Sequence, residues 1–370
     1  MTQRTLIKLA SPAHFKESAD AVAAVIKSGM LIAGKEVESF EKRLCEITDS
    51  PYAVMLSSGT GALLAAMASM GIGKGSRVLV SGFTFPAPAM VAEFLGAGVD
   101  IIDVDPGTFN VSVKGVVEAI SQKEAVDLII IVDQFGAPAP LDEIEKICSE
   151  KKIPLLVDSA CSLGSSIGNR MCGTFGDASI FSFHPRKIIT TGEGGAMLTS
   201  NADLYNKVKK FRSFGFENGQ FKSRGVNLRP GEMGAAMGNV QLDHFGEIIE
   251  KRKYLFEFYK ELPLQFQKII DGTVTNFQTV AALVPGIDSV HRRSEFIEFM
   301  ANNQIETSIA GYSLSKVEWL KDRFGYTEND APTSCRLNDL GIALPMHFNM
   351  EKDDAIYTVS VVKKWLDGKN

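Results

Sequence analysis

The sequence predicts an α/β protein in which a large domain with a mostly parallel sheet precedes a smaller α+β domain. Between residues 50 and 200, short apolar segments alternate with helical segments, which is the pattern of parallel strands joined by crossover helices. Two later strand segments, within residues 178–199, follow each other without a helix, so an antiparallel addition to the sheet is expected. After residue 262 the segments shorten and the alternation weakens.

Each element of the large domain is predicted from one segment of the chain. The predicted strands are short and apolar, and in chain order they are "YAVMLSS", "RVLVSG", "VDIIDVD", "VDLIIIVD", "IPLLVD", "ASIFSFH" and "GAMLTS". The predicted helices are 59–71, 86–95, 112–121, 141–152, 201–213 and 230–261. Pro230 suits the first turn of the last helix, because a missing N–H costs no hydrogen bond there.

We place the domain boundary near residue 250. Residues 1–250 then form the large domain, which includes an N-terminal arm, and residues 251–370 form the small domain. Segments such as "NFQTVAALVP" and "DDAIYTVSVVKKWL" give the small domain its α+β character. Trp319 and Trp365 are expected to pack in its interior.

Composition and charge exclude several classes of function. The net charge of −5 gives no electrostatic reason to expect nucleic acid or an anionic membrane as a partner. No long apolar segment predicts a membrane span, and the first ten residues carry no signal-peptide pattern. The five cysteines form no C-x-x-C pair, which favours a reducing compartment and argues against a zinc site. We therefore expect a cytoplasmic protein without a metal.

The segment "SSGTGALLAA" follows the first strand and predicts a phosphate site. Ligands of open α/β sheets bind beyond the carboxyl ends of the strands. Gly59, Thr60 and Gly61 would present backbone N–H groups and a hydroxyl at the positive end of a helix. A dinucleotide fingerprint is the weaker alternative, because its third glycine would fall on Leu64. The other alternative is a plain helix cap by Ser58 or Thr60.

Two residues at other strand ends admit two interpretations each. Phe85, in "GFTFPAPA", is either a core residue or a flat ring that stacks on a flat cofactor. Asp158 ends the apolar run "LLVD", where an unpaired carboxylate is costly to bury. It therefore either caps a backbone turn or holds a positive charge that belongs to a ligand.

Lys187 lies in "FSFHPRKIITTGEGGAM", among apolar and hydroxyl residues. A lysine in such surroundings can lose its proton and attack aldehydes. A phosphate site, a stacking ring, a buried aspartate and a reactive lysine at one sheet edge together indicate pyridoxal phosphate (PLP), which needs a Schiff-base lysine and an anion beside its ring nitrogen.

At these motifs the sequence resembles the DegT/DnrJ/StrS family of PLP-dependent aminotransferases, which act mainly on nucleotide-linked keto sugars. The resemblance runs from residue 34 to residue 245 and is weak in the C-terminal third. The matching segments are "GKEVESFEKRLCEI", "SSGTGAL", "GFTFPAPA", "IIDVDPGTFNV", "FGAPAPLDEI", "SFHPRKIITTGEGGAM", "FRSFGF" and "GVNLRPGEMGAAMGNVQLDHF". It implies the type I aminotransferase fold, with a seven-stranded type of sheet, and a homodimer.

The resemblance also implies roles for individual residues. Lys187 would be the Schiff-base lysine and Asp158 the partner of the ring nitrogen, with Phe85 stacked on the ring. The phosphate would be held by the Gly59–Gly61 turn and by Ser182. Asn227 would reach the phosphate of the neighbouring subunit's cofactor, so that active sites are shared across the dimer.

The sequence departs from the family pattern at two positions. Cys161 stands where the family usually has a glutamine or histidine that binds the cofactor's 3-hydroxyl, and a thiol is a weak donor. Asp133, in "VDQFG", stands where the family often has a histidine, which puts substrate-side contacts there in doubt.

The implied function is transfer of an amino group from an amino acid, usually glutamate, to a keto sugar, through PLP and its aminated form, pyridoxamine phosphate (PMP). One alternative is a sugar dehydratase of the same fold, but those relatives carry histidine in place of the lysine. Another is a catalytically silent PLP-binding protein. Lys187 argues against the dehydratase. Lys187 and Asp158 together argue against the silent protein, although Cys161 keeps that alternative open.

Overall fold

The computed structural model describes residues 5–32 and 34–368. The strands, in chain order, are β1 (Tyr52–Leu56), β2 (Arg77–Ser81), β3 (Gly98–Ile102), β4 (Leu128–Val132), β5 (Leu155–Asp158), β6 (Ser166–Ile167), β7 (Arg170–Met171), β8 (Ala178–Ser182), β9 (Gly195–Thr199), β10 (Phe216–Glu217), β11 (Gln220–Phe221), β12 (Gln265–Phe266), β13 (Thr273–Val274), β14 (Val280–Leu283), β15 (Ser308–Ile309) and β16 (Gly341–Leu344).

The α-helices alternate with these strands in the first half of the chain. In chain order they are α1 (Glu17–Ser28), α2 (Lys35–Thr48), α3 (Gly59–Ser69), α4 (Ala87–Phe94), α5 (Val113–Ser121), α6 (Leu141–Lys151), α7 (Ala202–Phe211), α8 (Glu232–Asp243), α9 (Phe245–Tyr259), α10 (Val290–Asn302), α11 (Glu318–Phe324), α12 (Pro332–Leu340) and α13 (Lys352–Leu366).

A seven-stranded sheet forms the centre of the large domain, in the order β1-β9-β8-β5-β4-β2-β3. The β3, β2, β4, β5 and β8 strands pair in parallel, whereas β9 is antiparallel to both of its neighbours, β1 and β8. The prediction of a mostly parallel sheet with an antiparallel addition is confirmed. The parallel register sets Val132 beside Asp158, which brings the ends of β4 and β5 together.

The sheet is buried on both faces, which explains its continuous apolar strands. Side chains alternate along each strand, so Leu79 and Ile129 face one apolar layer while Val80 and Ile130 face the other. The first layer lies against α5 and α6, and the second lies against α3 and α4.

The predicted helix over residues 230–261 is wrong in one respect, because it is two helices. α8 ends at Asp243 and α9 begins at Phe245, with His244 between them in a non-helical conformation. The His244 ring stacks on Phe15, with 4.0 Å between ring centroids. The break lets α8 pack against α1 and α2, while α9 places Leu255 in the small domain's apolar cluster.

The C-terminal part of the chain has its own sheet, in the order β12-β14-β16-β15, and its own apolar cluster. Trp365 packs there against Phe296 and Phe299 as predicted, but Trp319 is 58% exposed, so its predicted burial is wrong. The boundary near residue 250 falls within α9 and stays a prediction, and its outer limits at residues 1 and 370 lie outside the described residues.

Helix length and composition also bear on membranes. Over residues 5–32 and 34–368, no helix combines the length and the apolar character that a membrane span requires.

Candidate active site

The predicted phosphate site lies at the N-terminus of α3. The Ser58 Oγ accepts a hydrogen bond from the Gly61 N–H at 2.9 Å, which fixes the first turn. The N–H groups of Gly59 and Thr60 also belong to this turn, where a helix offers them no internal acceptor. They remain available to an anion at the positive end of the helix. The predicted cap and the predicted phosphate site are therefore compatible.

Close packing around Gly59 brings Ser182 to the same place. A Cβ added at Gly59 would lie 3.0 Å from the Ser182 Cβ and 3.3 Å from its Oγ. A Cβ added at Gly195 would lie only 2.4 Å from the Gly59 nitrogen. Because neither glycine carries a side chain, the end of β8 can contact the start of α3. This contact sets the Ser182 hydroxyl beside the turn.

Asp158 ends β5 and is 6% exposed. Its Oδ1 accepts a hydrogen bond from the Ala160 N–H at 3.1 Å, and it makes no ion pair within the described part of the chain. Burial raises the pKa of this carboxyl, although the hydrogen bond and the positive charge of Lys187 act in the opposite direction. The residue therefore does cap a turn, and its buried charge still lacks a cation in contact.

Lys187 follows β8 and is half-buried. Its Nζ donates a hydrogen bond to the Cys161 Sγ at 3.1 Å. The Asn276 Nδ2 donates to the Cys161 carbonyl at 2.8 Å and to the Leu163 carbonyl at 2.9 Å, which fixes the backbone that carries the thiol. In this structure the thiol that replaces the family's usual amide or imidazole contacts the lysine.

Asp133 is not among the residues that line the cavity of about 390 Å³ beside Lys187. Its side chain is completely buried behind the site. One oxygen accepts from the Ala139 N–H at 3.0 Å, and the other accepts from the Ser159 and Ser162 hydroxyls at 3.1 and 3.0 Å. Burial raises the pKa of Asp133 to about 7, against the lowering effect of these three hydrogen bonds.

A cavity of about 390 Å³ brings Phe85, Cys161 and Lys187 together. Phe85 is 66% exposed, and its ring stands edge-on to the Tyr312 ring at 6.3 Å between centroids. An exposed phenylalanine beside the reactive lysine fits a stacking role better than a core role, because a core ring would be buried.

Sequence reasoning missed several polar residues of this cavity, among them Arg186 and Tyr312. Arg186 lies next to Lys187 within the recognised motif, so its charge was visible in the sequence. Tyr312 had no such signal. It reaches the site because a β-bridge joins Ser313 to Phe83, about 230 residues earlier in the chain.

Asn227 is exposed, and its Oδ1 accepts a hydrogen bond from the Arg229 N–H at 3.3 Å. The next residue, Leu228, lies against the phosphate turn of the same chain, since the Ser57 N–H donates to its carbonyl at 2.9 Å. Asn227 is therefore near this phosphate turn, and its reach to a neighbouring subunit stays a prediction.

These features fit PLP. The α3 N-terminus with Ser182 offers donors for the phosphate, and Phe85 offers a free ring face. Asp158 offers a buried carboxylate that lacks an adjacent cation, and Lys187 offers an amine. Each feature matches the chemistry of a different part of PLP, although Asp158, Ser182 and the Gly59–Gly61 turn do not line the cavity that holds Phe85 and Lys187.

Comparisons with known proteins give the same result. Residues 12–363 match the model of the DegT/DnrJ/EryC1/StrS aminotransferase family. The chain is 36% identical, over 256 residues, to UDP-4-amino-4,6-dideoxy-N-acetyl-beta-L-altrosamine transaminase of Campylobacter jejuni. That alignment covers 67% of this chain and 66% of the relative.

Two solved structures share the fold. A putative sugar aminotransferase of Streptococcus pneumoniae, Spr1654, known in PMP and PLP forms, has a TM-score of 0.92 for its PMP form at 22% identity and covers 98% of this chain and 99% of its own. A GDP-4-keto-6-deoxymannose-3-dehydratase, ColD, has a TM-score of 0.88 at 25% identity and covers 96% of this chain and 100% of its own.

The predicted type I aminotransferase fold, the PLP cofactor and the enzyme class are thereby confirmed. The chain belongs to the DegT/DnrJ/EryC1/StrS aminotransferase family of PLP-dependent enzymes.

Proposed function

We propose that this enzyme transfers an amino group from glutamate to a keto sugar carried on a nucleotide. The observation that carries the proposal is a cavity lined by the Lys187 amine and by Arg186, with no aspartate or glutamate among its described lining residues, the buried Asp158 lying outside that lining. Glutamate and nucleotide-linked sugars are both anionic, so a cationic cavity favours them. The similarity to a named nucleotide-sugar transaminase supports the sugar acceptor.

Bound PLP supplies an aldehyde that captures amines and a ring that accepts electrons from the donor's α-carbon. Lys187 would take the proton from that carbon with its Nζ and deliver it to the former aldehyde carbon of the cofactor, first as general base and then as general acid. Asp158 keeps a proton on the ring nitrogen, because its buried negative charge favours the protonated form. Phe85 would cover one face of the ring, and Gly59, Thr60 and Ser182 would hold the phosphate.

Arg186 is the group that we assign to recognition of a substrate carboxylate. Its backbone is fixed on both sides, because its N–H donates to the His184 Nδ1 at 3.2 Å and its carbonyl accepts from the Gln278 side chain. The guanidinium is exposed and forms no ion pair within the described residues. An arginine with a fixed backbone and a free guanidinium suits paired hydrogen bonds to a carboxylate.

Lys187 argues against the dehydratase alternative. Dehydratases of this fold were expected to carry histidine at this position, and one solved neighbour is a dehydratase. A lysine at this position supplies the amine that an aminotransferase needs to release and recapture the cofactor.

An acceptor screen tests the function. The enzyme is incubated with ¹⁵N-glutamate and a panel of nucleotide-linked keto sugars, and products are read by mass spectrometry. We expect ¹⁵N in a sugar product with wild type and none with Lys187→Ala. Loss of a hydroxyl without nitrogen incorporation would instead establish the dehydratase, and no turnover with any acceptor and donor would establish a silent protein.

We also propose a homodimer in which Asn227 contacts the phosphate of the partner's cofactor. The exposed position of Asn227 beside a phosphate turn supports it. If sites are shared, mixing inactive Lys187→Ala subunits with subunits inactivated at Asn227 restores one intact site per heterodimer. If Asn227 serves its own chain, one site in the heterodimer lacks Lys187 and the other lacks Asn227, so no intact site forms and activity stays absent. Recovered activity therefore supports the shared site, and no recovery after verified subunit exchange overturns it.

A third substitution checks that the recovered activity comes from the site that shared use predicts. Asp158→Asn placed on the Asn227 variant subunit leaves the site of that subunit inactive in both cases. With shared sites, the Lys187→Ala site lacks its lysine and the other site lacks its carboxylate, so activity stays absent. Asp158→Asn placed instead on the Lys187→Ala subunit leaves recovery unchanged with shared sites, because the rescued site keeps its own Lys187 and Asp158. Recovery abolished by this second placement would overturn the shared site.

The amino sugar is proposed to enter a surface polysaccharide such as lipopolysaccharide. The five cysteines are all free thiols, which supports work in the reducing cytoplasm.

A further inference from the structure

Asp133 lies beside the end of β5, and it is not among the residues that line the cavity. It follows β4, and its backbone N–H donates to the Asp158 carbonyl at 3.1 Å. The two aspartates are therefore side by side at the ends of neighbouring strands. Asp158 is assigned to the ring nitrogen, whereas the mechanism gives Asp133 no role.

The contacts of the Asp133 carboxylate converge on one turn. Ser159 and Ser162, which both donate to its Oδ2, enclose the residues that follow Asp158. Within this turn the Ala160 N–H donates to the Asp158 Oδ1, and the Ser162 N–H donates to the Ser159 carbonyl at 2.9 Å. The turn, residues 158–162, thus holds both the Asp158 carboxylate and the Cys161 thiol.

We propose that Asp133 is a positioning residue that holds the turn of residues 158–162, and thereby sets the Asp158 carboxylate against the cofactor's ring nitrogen and the Cys161 thiol against Lys187. Two hydroxyls that donate to one buried oxygen fix both ends of the turn from behind. Burying the Asp133 carboxylate without these donors would cost free energy, so the folded state favours keeping both hydrogen bonds. The inference concerns the cofactor site and does not depend on the proposed substrate.

The charge of Asp133 acts on the site through the same arrangement. The titratable groups near its carboxyl are Asp158, on the neighbouring strand, and Cys172, a fully buried thiol whose pKa is raised by burial and by the Asp133 charge. An ionised Asp133 repels the Asp158 charge. Its added negative charge also favours the protonated form of the cofactor's ring nitrogen. Asn in place of Asp133 keeps the shape and removes this charge.

Hydrogen–deuterium exchange of the cofactor-free protein tests the positioning directly. We expect Asp133→Asn and Ser162→Ala to raise the exchange rate of amides in residues 159–162 by about tenfold, since each weakens hydrogen bonds worth about 1 kcal/mol. Asp103→Asn is the matched control. Asp103 accepts from the Thr333 N–H and from the Ser334 N–H and hydroxyl, so it should loosen residues 333–335 and leave residues 159–162 unchanged.

A second readout shows whether Asp133 affects the cofactor as well as the stability of the turn. With PLP bound, the pH at which the cofactor absorbance changes should fall in Asp133→Asn, because a nearby negative charge is lost, and should stay at the wild-type value in Asp103→Asn. If Asp133→Asn does not fold, Ser159→Ala and Ser162→Ala carry the exchange test, and a displaced absorbance transition in either supports positioning. Unchanged exchange in residues 159–162 overturns the proposal. Raised exchange with an unmoved absorbance transition also overturns it, because the carboxylate would then only brace the turn.

Discussion

Asp158→Asn separates the role of this residue as a ligand partner from its role as a turn cap. The asparagine Oδ1 can keep the hydrogen bond from the Ala160 N–H, so the turn survives, but the buried negative charge is lost. Removing one member of a buried charge pair costs about 3–5 kcal/mol. Since about 1.36 kcal/mol is tenfold in rate, the half-reaction with glutamate should slow by about 150-fold to 5,000-fold. Stopped-flow absorbance of the cofactor measures this rate.

The effect of Asp158→Asn on stability should have opposite signs with and without the cofactor. Burial raises the pKa of Asp158 above its ordinary value of 3.8, so the folded cofactor-free protein loses stability as the pH rises above that value. Asp158→Asn removes this loss and should raise the melting temperature at pH 7 without cofactor, but lower it with PLP bound. Asp103→Asn, remote from the cavity, should show no such reversal. A rate loss under about tenfold, or equal effects on both forms, would make Asp158 a structural cap only.

Three further predictions concern the phosphate turn, Asp133 and Arg186. Gly59→Ala should weaken PLP binding about tenfold or more, because its Cβ would displace the Ser182 hydroxyl. Gly246→Ala, which has open space around it, should not weaken binding, and equal PLP affinities of the two variants in a fluorescence titration would refute the prediction. Burial raises the folded-state pKa of Asp133 from 3.8 to about 7, so the free energy of unfolding of wild type falls across that pH range. In denaturant melts, Asp133→Asn should therefore become more stable relative to wild type as the pH rises. A stability difference that does not change with pH would contradict the burial argument. Arg186→Ala should raise the KM for glutamate about tenfold with kcat nearly unchanged, whereas loss of kcat alone would remove its assignment to the carboxylate.

The alternation of the large domain could be predicted because each strand and helix carries a local signal. β4 is a continuous apolar run between polar turns, and α3 begins at a serine that caps its first turn. The break at His244 could not be predicted, since no proline or glycine interrupts that segment at the break. It depends on Phe15, which lies far away in the chain.

Some residues of the candidate site could likewise be predicted from the sequence, and others could not. Lys187, Asp158 and the Gly59–Gly61 turn follow strand ends, where parallel-sheet geometry gathers ligand-binding residues. Asn276 and Tyr312 reach the site only through tertiary packing, because their partners are more than a hundred residues away. The role proposed for Asp133 was equally hidden, since a sequence shows the carboxylate but not that the Ser159 and Ser162 hydroxyls donate hydrogen bonds to it.

The attachment of PLP to Lys187 is the central claim, and one measurement tests it most directly. The purified enzyme with PLP is reduced with borohydride, digested, and its peptides are read by mass spectrometry. We predict that the cofactor mass lies on the peptide that carries Lys187, and that the Lys187→Ala enzyme carries none on any peptide. A reduced cofactor on a different lysine, or retained in Lys187→Ala, would contradict the account.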